Sequence, residues 1–117
     1  MNERLKQKFG VVLQLLSTVT KHRTHNNHRH FTSCVKQLNG HIPVLKKCIE
    51  TEIGQNTDNH KSIIPHLEKM TENTTKLVIK ADNASGILKE IVPNDIIYEL
   101  RNAITTVQTM FSNPAKS

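Results

Sequence analysis

Residues 31–53 read FTSCVKQLNGHIPVLKKCIETEI, and this stretch decides the fold. Its large apolar residues recur at steps of three and four, which places them on one face of an α-helix. They are Phe31, Val35, Leu38, Ile42, Leu45, Ile49 and Ile53. The residues between them are polar and mostly basic, so we expect the opposite face to lie in water. A helix of about 23 residues would be roughly 35 Å long and would need partners to cover its apolar face.

The length and composition of the chain indicate one all-α domain. The 117 residues are 36% hydrophobic and only 3% aromatic, with four glycines and four prolines. A β-sandwich would need more aromatic and turn residues, whereas this composition is typical of long amphipathic helices with short loops. We therefore predict an antiparallel four-helix bundle over residues 1–111. Residues 112–117 are expected to be a disordered tail or the start of a linker.

The segment before the central stretch has the same helical periodicity. Its apolar residues predict a first helix from about Glu3 to Thr20 or slightly beyond. The next segment, KHRTHNNHRH at 21–30, contains no apolar side chain. We interpret it as the end of the first helix, a turn and the polar start of the second, so the two helices are antiparallel neighbours. Gly40 and Pro43 predict a kink in the second helix and not a break, because the apolar stripe continues in phase beyond them.

A third helix is predicted after a polar loop. Gly54 is a suitable C-cap for the second helix, and the polar run 54–62 is expected to be the longest loop of the chain. Ser62 is a suitable N-cap for the third helix, with Pro65 in the first turn, where the missing backbone donor costs nothing. The periodicity places Ile64 on the inward face of this helix.

The last part of the chain predicts a short connecting helix and a fourth long helix. Residues 87–92 form an apolar segment that is too short for an independent bundle helix, so we interpret it as a connecting turn of helix. Asn94 or Asp95 is a suitable N-cap for the last helix. Either Met110 or Phe111 completes its inward face.

Charge is distributed unevenly along the chain. Residues 1–47 contain nine Lys or Arg and one acid, which gives +8, whereas residues 48–117 contain seven basic and nine acidic residues, which gives −2. Five of the seven histidines also lie in the first part, so its charge rises as the pH falls through about 6.5. This asymmetry indicates an anionic partner. The candidate binding residues are Arg4, Lys6, Lys8, Lys21, Arg23, Arg29, Lys36, Lys46 and Lys47.

No arrangement in the sequence indicates catalysis. A catalytic site needs a nucleophile beside a base, paired carboxylates or a phosphate-binding glycine loop, and none has its expected spacing. We therefore predict no enzymatic activity and no cofactor. The segment 21–30 contains no Cys or carboxylate that could complete a zinc site with its histidines, so we interpret them as part of the basic surface. None of the seven histidines has the sequence context of a phosphotransfer histidine.

The cysteines and the N-terminus bear on the cellular compartment. Cys34 and Cys48 lie fourteen residues apart. That separation is about 21 Å along one continuous helix, beyond the reach of a disulfide, so we expect free thiols. The opening sequence MNERLKQKFGVVLQLL is interrupted by Gln14 and is followed by no signal-peptide cleavage site. We therefore expect a cytoplasmic protein.

The order of these features resembles a known family. A long helix and a basic polar turn precede a helix with an internal glycine and proline, LNGHIPVL at 38–45. The third helix ends in KLVIK at 76–80, the connector reads GILKEI at 86–91, and DIIYEL at 95–100 opens the last helix. This arrangement resembles the N-terminal four-helix domain of the mixed lineage kinase domain-like proteins and, more widely, the HeLo-like cell-death domains.

The resemblance implies a cytosolic effector that acts on membranes. In that family the helical domain is held inactive by a following brace and pseudokinase. After release it oligomerises, binds anionic phospholipids through basic residues and permeabilises the membrane. The resemblance therefore implies anionic membrane lipids as partners, a homo-oligomer as the active form, a downstream regulatory (pseudo)kinase domain, and movement from the cytoplasm to the membrane. These 117 residues include no brace and no kinase-like domain, so the sequence does not indicate how the domain is regulated.

Nucleic acid and protein are the two other classes of partner that a basic helical domain can bind. Nucleic acid is disfavoured because the chain has three Phe, one Tyr and four Arg, too few for base stacking or groove reading. The alternative is a protein-binding scaffold bundle, similar to focal-adhesion-targeting or vinculin-like domains, in which a groove between two helices binds a partner helix. A scaffold predicts an exposed apolar groove, whereas lipid binding predicts a basic patch around the first turn.

Overall fold

The computed structural model describes residues 3–54 and 57–112. Within these ranges the backbone forms five α-helices and no strand, so the predicted all-α class is confirmed. The helices are α1 (Glu3–Thr24), α2 (His28–Ile53), α3 (Thr57–Asp82), α4 (Leu88–Ile91) and α5 (Asn94–Ser112). The described part is elongated, with extents of 47 × 23 × 21 Å.

The polar segment 21–30 contains the end of α1 and the start of α2, as predicted. α1 is four residues longer than the minimum that the sequence predicted, and a tight turn separates it from α2. Asn26 has a φ of +54°, a left-handed conformation that asparagine tolerates better than most residues. The side chain of Asn27 then accepts a hydrogen bond from the backbone N–H of His30 at 3.4 Å and caps the first turn of α2.

The central helix α2 has the apolar face that its sequence predicts. All seven residues of the stripe from Phe31 to Ile53 are buried. The helix continues as one element through Gly40 and Pro43, and both residues are exposed. Because Asn39 is also exposed, its carbonyl can bond to water where Pro43 supplies no donor. α2 packs against α1 on one side and α3 on the other. These contacts confirm that α2 is central to the fold.

The start of α3 differs from the prediction. The helix begins at Thr57, so Ser62 is not its N-cap and Pro65 lies in its interior instead of its first turn. Polar residues without an apolar repeat give no periodic signal, so the sequence predicts loop where the first turn of α3 forms. The inward position is Ile63, which is buried, and not Ile64, which is half-buried.

The second half of the chain completes the core. α4 is the short connecting helix that the sequence predicted. α5 begins at Asn94, so Asn94 and Asp95 are its first helical residues and neither is the N-cap that the sequence predicted; the N-cap position is Pro93. α3 packs on α5, whereas α1 contacts α5 less extensively and also contacts α4. Ser112 ends α5, and the rest of the predicted tail lies outside the described residues. No helix in the described ranges combines the length and the apolar character needed to cross a bilayer.

Among the described residues, the core encloses one side-chain polar atom that makes no hydrogen bond. Asn73 of α3 is only 1% exposed; its Nδ2 donates to the carbonyl of Lys69 at 2.9 Å, but its Oδ1 has no partner. The neighbouring Thr74 is equally buried but satisfied, because its hydroxyl donates to the carbonyl of Met70 at 2.6 Å. An unsatisfied buried acceptor costs about 1–3 kcal/mol. Asn73 is therefore a weak point of the core.

Replacing Asn73 with leucine is expected to stabilise the protein. Asn73→Leu removes the unsatisfied acceptor and should raise the free energy of unfolding by about 1–3 kcal/mol. Urea denaturation followed by circular dichroism measures this change. Asn39→Leu, at an exposed position of α2, is the matched control and should leave the midpoint nearly unchanged. A lower midpoint for Asn73→Leu would show that the amide has a favourable role in the core.

Candidate functional site

The nine predicted basic residues do not form one patch around the first turn. Arg4 and Lys8 lie near the beginning of α1, and Lys21 lies near its end. Arg4 and Lys21 are about 25 Å apart along the helix axis at 1.5 Å per residue. The structure therefore separates these residues into groups with different surroundings.

Three of the nine form a straight ridge on α2. Arg29, Lys36 and Lys47 are all exposed. They are separated by seven and eleven residues, about two and about three helical turns, so they project from the same side of the helix. The ridge is about 27 Å long. These three cations recur with the same helical period as the apolar stripe. The spacing that predicted the buried face of α2 therefore also places them on the opposite face.

A groove between α1 and α2 joins this ridge to the start of α1. The groove has a volume of about 270 Å³. Its lining brings Arg4 of α1 beside Lys47 of α2, and Lys8 lies one turn after Arg4 on the same side of α1. The other lining residues are Leu5, Val44, Cys48, Thr51 and Glu52. We call the five basic residues of this surface, Arg4, Lys8, Arg29, Lys36 and Lys47, the basic face.

The basic face also presents isolated apolar side chains. Val44 is 39% exposed and lies between Lys36 and Lys47 along α2. Val11 of α1 is 41% exposed and lines a shallow depression with Leu15. Basic side chains beside small apolar ones suit an interfacial surface, where cations meet anionic groups and apolar side chains enter the boundary layer.

The positive charge of the basic face is not neutralised by ion pairs within the described residues. The ion pair found among the described residues joins Lys76 to Glu72 at 3.2 Å, and both of these residues lie on α3, away from the basic face. The acids of α2, Glu50 and Glu52, lie at the end of the helix near Lys47. Most of the ridge therefore keeps its charge available to an external anion.

Four predicted residues lie away from the basic face. Lys6 follows Arg4 by two residues, about 200° around α1, so it projects from the other side. Lys46 donates from Nζ to the hydroxyl of Thr71 and is directed toward α3. Lys21 is exposed on the last turn of α1. Arg23, the fourth, binds backbone carbonyls of the protein itself.

Arg23 connects the first turn to the segment that precedes α5. Its Nε donates to the carbonyl of Val92 at 2.7 Å, and its Nη2 donates to the carbonyl of Lys89 at 3.2 Å. Both carbonyls lie at the C-terminal end of α4, where backbone acceptors lack helical partners and a cation is favourable. The guanidinium group of Arg23 therefore forms hydrogen bonds within the protein.

Two more residues of the turn hold the other end of the same connector. The backbone N–H of Leu88, at the start of α4, donates to Oδ1 of Asn26 at 2.8 Å. Nε2 of His28 donates to the carbonyl of Gly86 at 2.5 Å. Ile87, at the N-cap position, provides no side-chain cap. We call Arg23, Asn26 and His28, with the residues 86–92 that they hold, the turn–connector clamp.

Sequence reasoning missed this clamp and interpreted two of its members as surface charge. Its hydrogen bonds join residues that are 58 to 69 positions apart, and no periodicity links such positions. The available signals were Asn26, a residue tolerant of positive φ, and Gly86, whose φ is +100°. Each signal indicated a turn, but neither indicated that the two turns would touch.

The histidines of the first turn also contact one another. The rings of His22 and His30 are stacked, with centroids 5.1 Å apart. Nδ1 of His30 donates to Oδ1 of Asn27 at 3.0 Å. Partial burial lowers the pKa of His22, and the nearby His30, Lys21 and His25 lower it further. Within the described ranges, no three side chains of the metal-binding types converge on a common point.

Both cysteines carry free thiols, as predicted. Cys34 and Cys48 are half-buried and pack against the core, and Cys48 also lines the groove between α1 and α2. Burial raises the pKa of the Cys34 thiol. Cys34 is therefore held in the protonated, less nucleophilic form.

The comparisons with known proteins do not identify a family. Neither a protein-family model, nor a curated protein, nor a solved structure matches this chain. The resemblance to the mixed lineage kinase domain-like proteins therefore stays a prediction from the order and character of the segments.

Proposed function

We propose that the protein is an antiparallel four-helix bundle that binds anionic phospholipid surfaces through the basic face. In this architecture α1, α2, α3 and α5 are the four long helices, and α4 is the connector before the last one. The observation that carries the proposal is the basic face itself. Five cations line one side of α1 and α2, and none forms an ion pair with a described residue.

The electrostatics of such a face are sufficient for peripheral binding. Near an anionic leaflet each Lys or Arg contributes about 1 kcal/mol. Five residues could therefore contribute about 5 kcal/mol, provided that they reach the surface together. The attraction decays within a Debye length of about 8–10 Å at physiological salt. A straight ridge such as Arg29, Lys36 and Lys47 meets this condition when α2 lies along the membrane.

Permeabilisation would require a second step. The large apolar residues of the stripes are buried, so binding through the basic face alone leaves them covered. We propose that the protein moves from the cytoplasm to the membrane, oligomerises there, and opens to place its apolar faces in the bilayer. The resemblance to the cell-death domains favours this order of events, with a downstream (pseudo)kinase domain as the regulator.

Vesicle binding and leakage test the proposal directly. Phosphatidylcholine vesicles, with and without phosphatidylserine or cardiolipin, would be sedimented with the protein and assayed for dye release. We expect binding only to the anionic vesicles, and we expect it to weaken as salt is raised. Dye release from the same vesicles would support the effector function. Equal binding to neutral and anionic vesicles, or no binding to either, would contradict the proposed site.

A protein-binding scaffold is the second candidate, and the groove between α1 and α2 favours it. Leu5, Val44 and Cys48 provide an apolar lining between Arg4 and Lys47. A partner helix with apolar and acidic residues would suit this lining. Failure to bind any vesicle, together with saturable binding of such a helix, would support the scaffold.

A further inference from the structure

The turn–connector clamp fixes a segment that cannot hold its own shape. α4 has only four residues, and a single helical turn is unstable alone. Asn26 satisfies a donor at its beginning, and Arg23 satisfies acceptors at its end. Beneath these contacts Leu88 and Val92 are fully buried. Release of the clamp would therefore uncover apolar side chains that lead directly into α5.

The same turn is crowded with groups that gain charge in acid. Its ten residues, 21–30, include Lys21, Arg23, Arg29 and four histidines. With neutral histidines the segment carries +3, and full protonation would bring it to +7. The stacked rings of His22 and His30 belong to different helices, since His22 lies on α1 and His30 on α2. A charge on both rings would push the two helix ends apart.

Few carboxylates are available to offset this charge. The connector contributes Lys89 and Glu90, α3 ends at Asp82, and the first turn of α5 contains Asp95. In the described part of the chain, none of these carboxylates forms an ion pair with the turn. The positive charge of the turn is therefore not offset by ion pairs among the described residues.

We propose that the turn–connector clamp is an acid-sensitive latch, released when His22 and His30 both become protonated. Each ring takes one proton from water, and the two imidazolium rings repel across their stacking distance of 5.1 Å. Arg23 adjoins His22 in sequence, and Asn26 and His28 lie between the two rings along the chain. Separation of the rings therefore displaces the groups that hold the connector.

The bond from His28 is not the trigger. Its Nε2 donates to the carbonyl of Gly86, and an imidazole ring can donate from Nε2 whether it is neutral or charged. Protonation of His28 therefore leaves this hydrogen bond in place. The stacked pair differs, because a second charge there changes a favourable ring contact into a repulsive one.

The direction of the pH effect follows from the closed state. The closed turn lowers the pKa of His22, so the open turn, with an ordinary histidine near 6.5, binds a proton more readily. As the pH falls through 6.5 toward the lower value of the closed form, the open form gains protons first and is favoured. Above that window the His22 ring is neutral in both the open and the closed form, and the latch stays closed.

Hydrogen exchange of the connector tests the latch without any membrane. The exchange rates of the Leu88 and Val92 amides would be measured at pH 7 and at about pH 5.5. Each rate is corrected for intrinsic exchange and normalised to the α2 amides of Leu38 and Leu45. We expect exchange of the connector to be about tenfold faster at the lower pH, because local opening sets these rates.

Paired histidine variants identify the groups responsible. His22→Gln with His30→Gln should abolish the acid-dependent increase. His41→Gln with His66→Gln removes the same number of histidines from α2 and α3 outside the turn, and should leave the increase intact. The latch would be overturned if the connector amides of the unsubstituted protein exchanged equally fast at both pH values. It would also be overturned if the variant that lacks His22 and His30 showed the full acid-dependent increase in exchange.

A second readout does not depend on any variant. Ring resonances of His22 and His30 can be followed by NMR across the same pH range. We expect protonation of His22 to coincide with opening of the connector, and opening at a pH where the His22 ring remains neutral would overturn the proposal. The step that uses the uncovered Leu88 and Val92 at a lipid surface rests on the proposed function. Because the exchange experiment contains no lipid, failure of vesicle binding would be distinguishable from failure of the latch.

Discussion

Leu38→Ala is expected to lower the free energy of unfolding by about 2–5 kcal/mol, the usual cost of removing a fully buried leucine side chain. Leu38 lies in the middle of α2, is 0% exposed, and belongs to the helix that packs on both α1 and α3. The loss should be visible as a lower midpoint in urea with little change in the slope, because the surface exposed on unfolding stays similar.

Val44→Ala is the matched control for this prediction. Val44 lies on the same helix, but on the exposed side. Its replacement removes apolar atoms without opening a cavity, so the midpoint should shift by less than about 0.5 kcal/mol. A comparable loss in both variants would mean that burial in the core does not determine the effect. A negligible loss for Leu38→Ala would contradict the central place of α2.

Reversing the ridge is expected to have the largest effect on membrane binding. The triple variant Arg29→Glu, Lys36→Glu and Lys47→Glu removes three cations that can approach one leaflet together. At about 1 kcal/mol for each lost cation, the partition coefficient on anionic vesicles should fall at least 100-fold. All three side chains are exposed, so the circular dichroism spectrum should be unchanged. Co-sedimentation over a series of lipid concentrations measures the partition coefficient.

A second triple variant separates the ridge from net charge. Lys61→Glu, Lys69→Glu and Arg101→Glu change the total charge by the same amount, but these exposed positions lie on α3 and α5. We expect this variant to lose less than about tenfold, through long-range repulsion alone. Equal losses in the two variants would show that binding follows total charge, and the basic face would then have no special role.

The spacing of the apolar residues predicted the fold well, because the buried residues of an amphipathic helix recur with the helical period. The seven residues of the α2 stripe illustrate this, since each lies where the spacing placed it. The signal is absent where residues are polar, so the first turn of α3 and the interior position of Pro65 were predicted wrongly. Ile63 and Ile64 are adjacent and equally apolar, so the sequence does not distinguish them. Which of the two is buried depends on how the helix begins.

The candidate site was less predictable than the fold. Charge counting found the residues of the basic face but could not separate Arg29, which is exposed, from Arg23, which binds two carbonyls. Both arginines lie in the same polar segment and have the same local signal. What distinguishes them is the position of the connector, and that position depends on packing of elements more than sixty residues later in the chain.

The packing of the helices has a consequence for the order in which the chain can fold. α1 packs mainly on α2, α2 on α3, and α3 on α5, so most contacts join elements that are close in sequence. Such local topology allows folding in microseconds to milliseconds. The clamp and the edge between α1 and α5 are different, because their contacts close the longest loops of the chain. It follows that the hairpin of α1 and α2 can form before its turn has any connector to hold, and that the clamp closes only after the later part of the chain has returned to this turn.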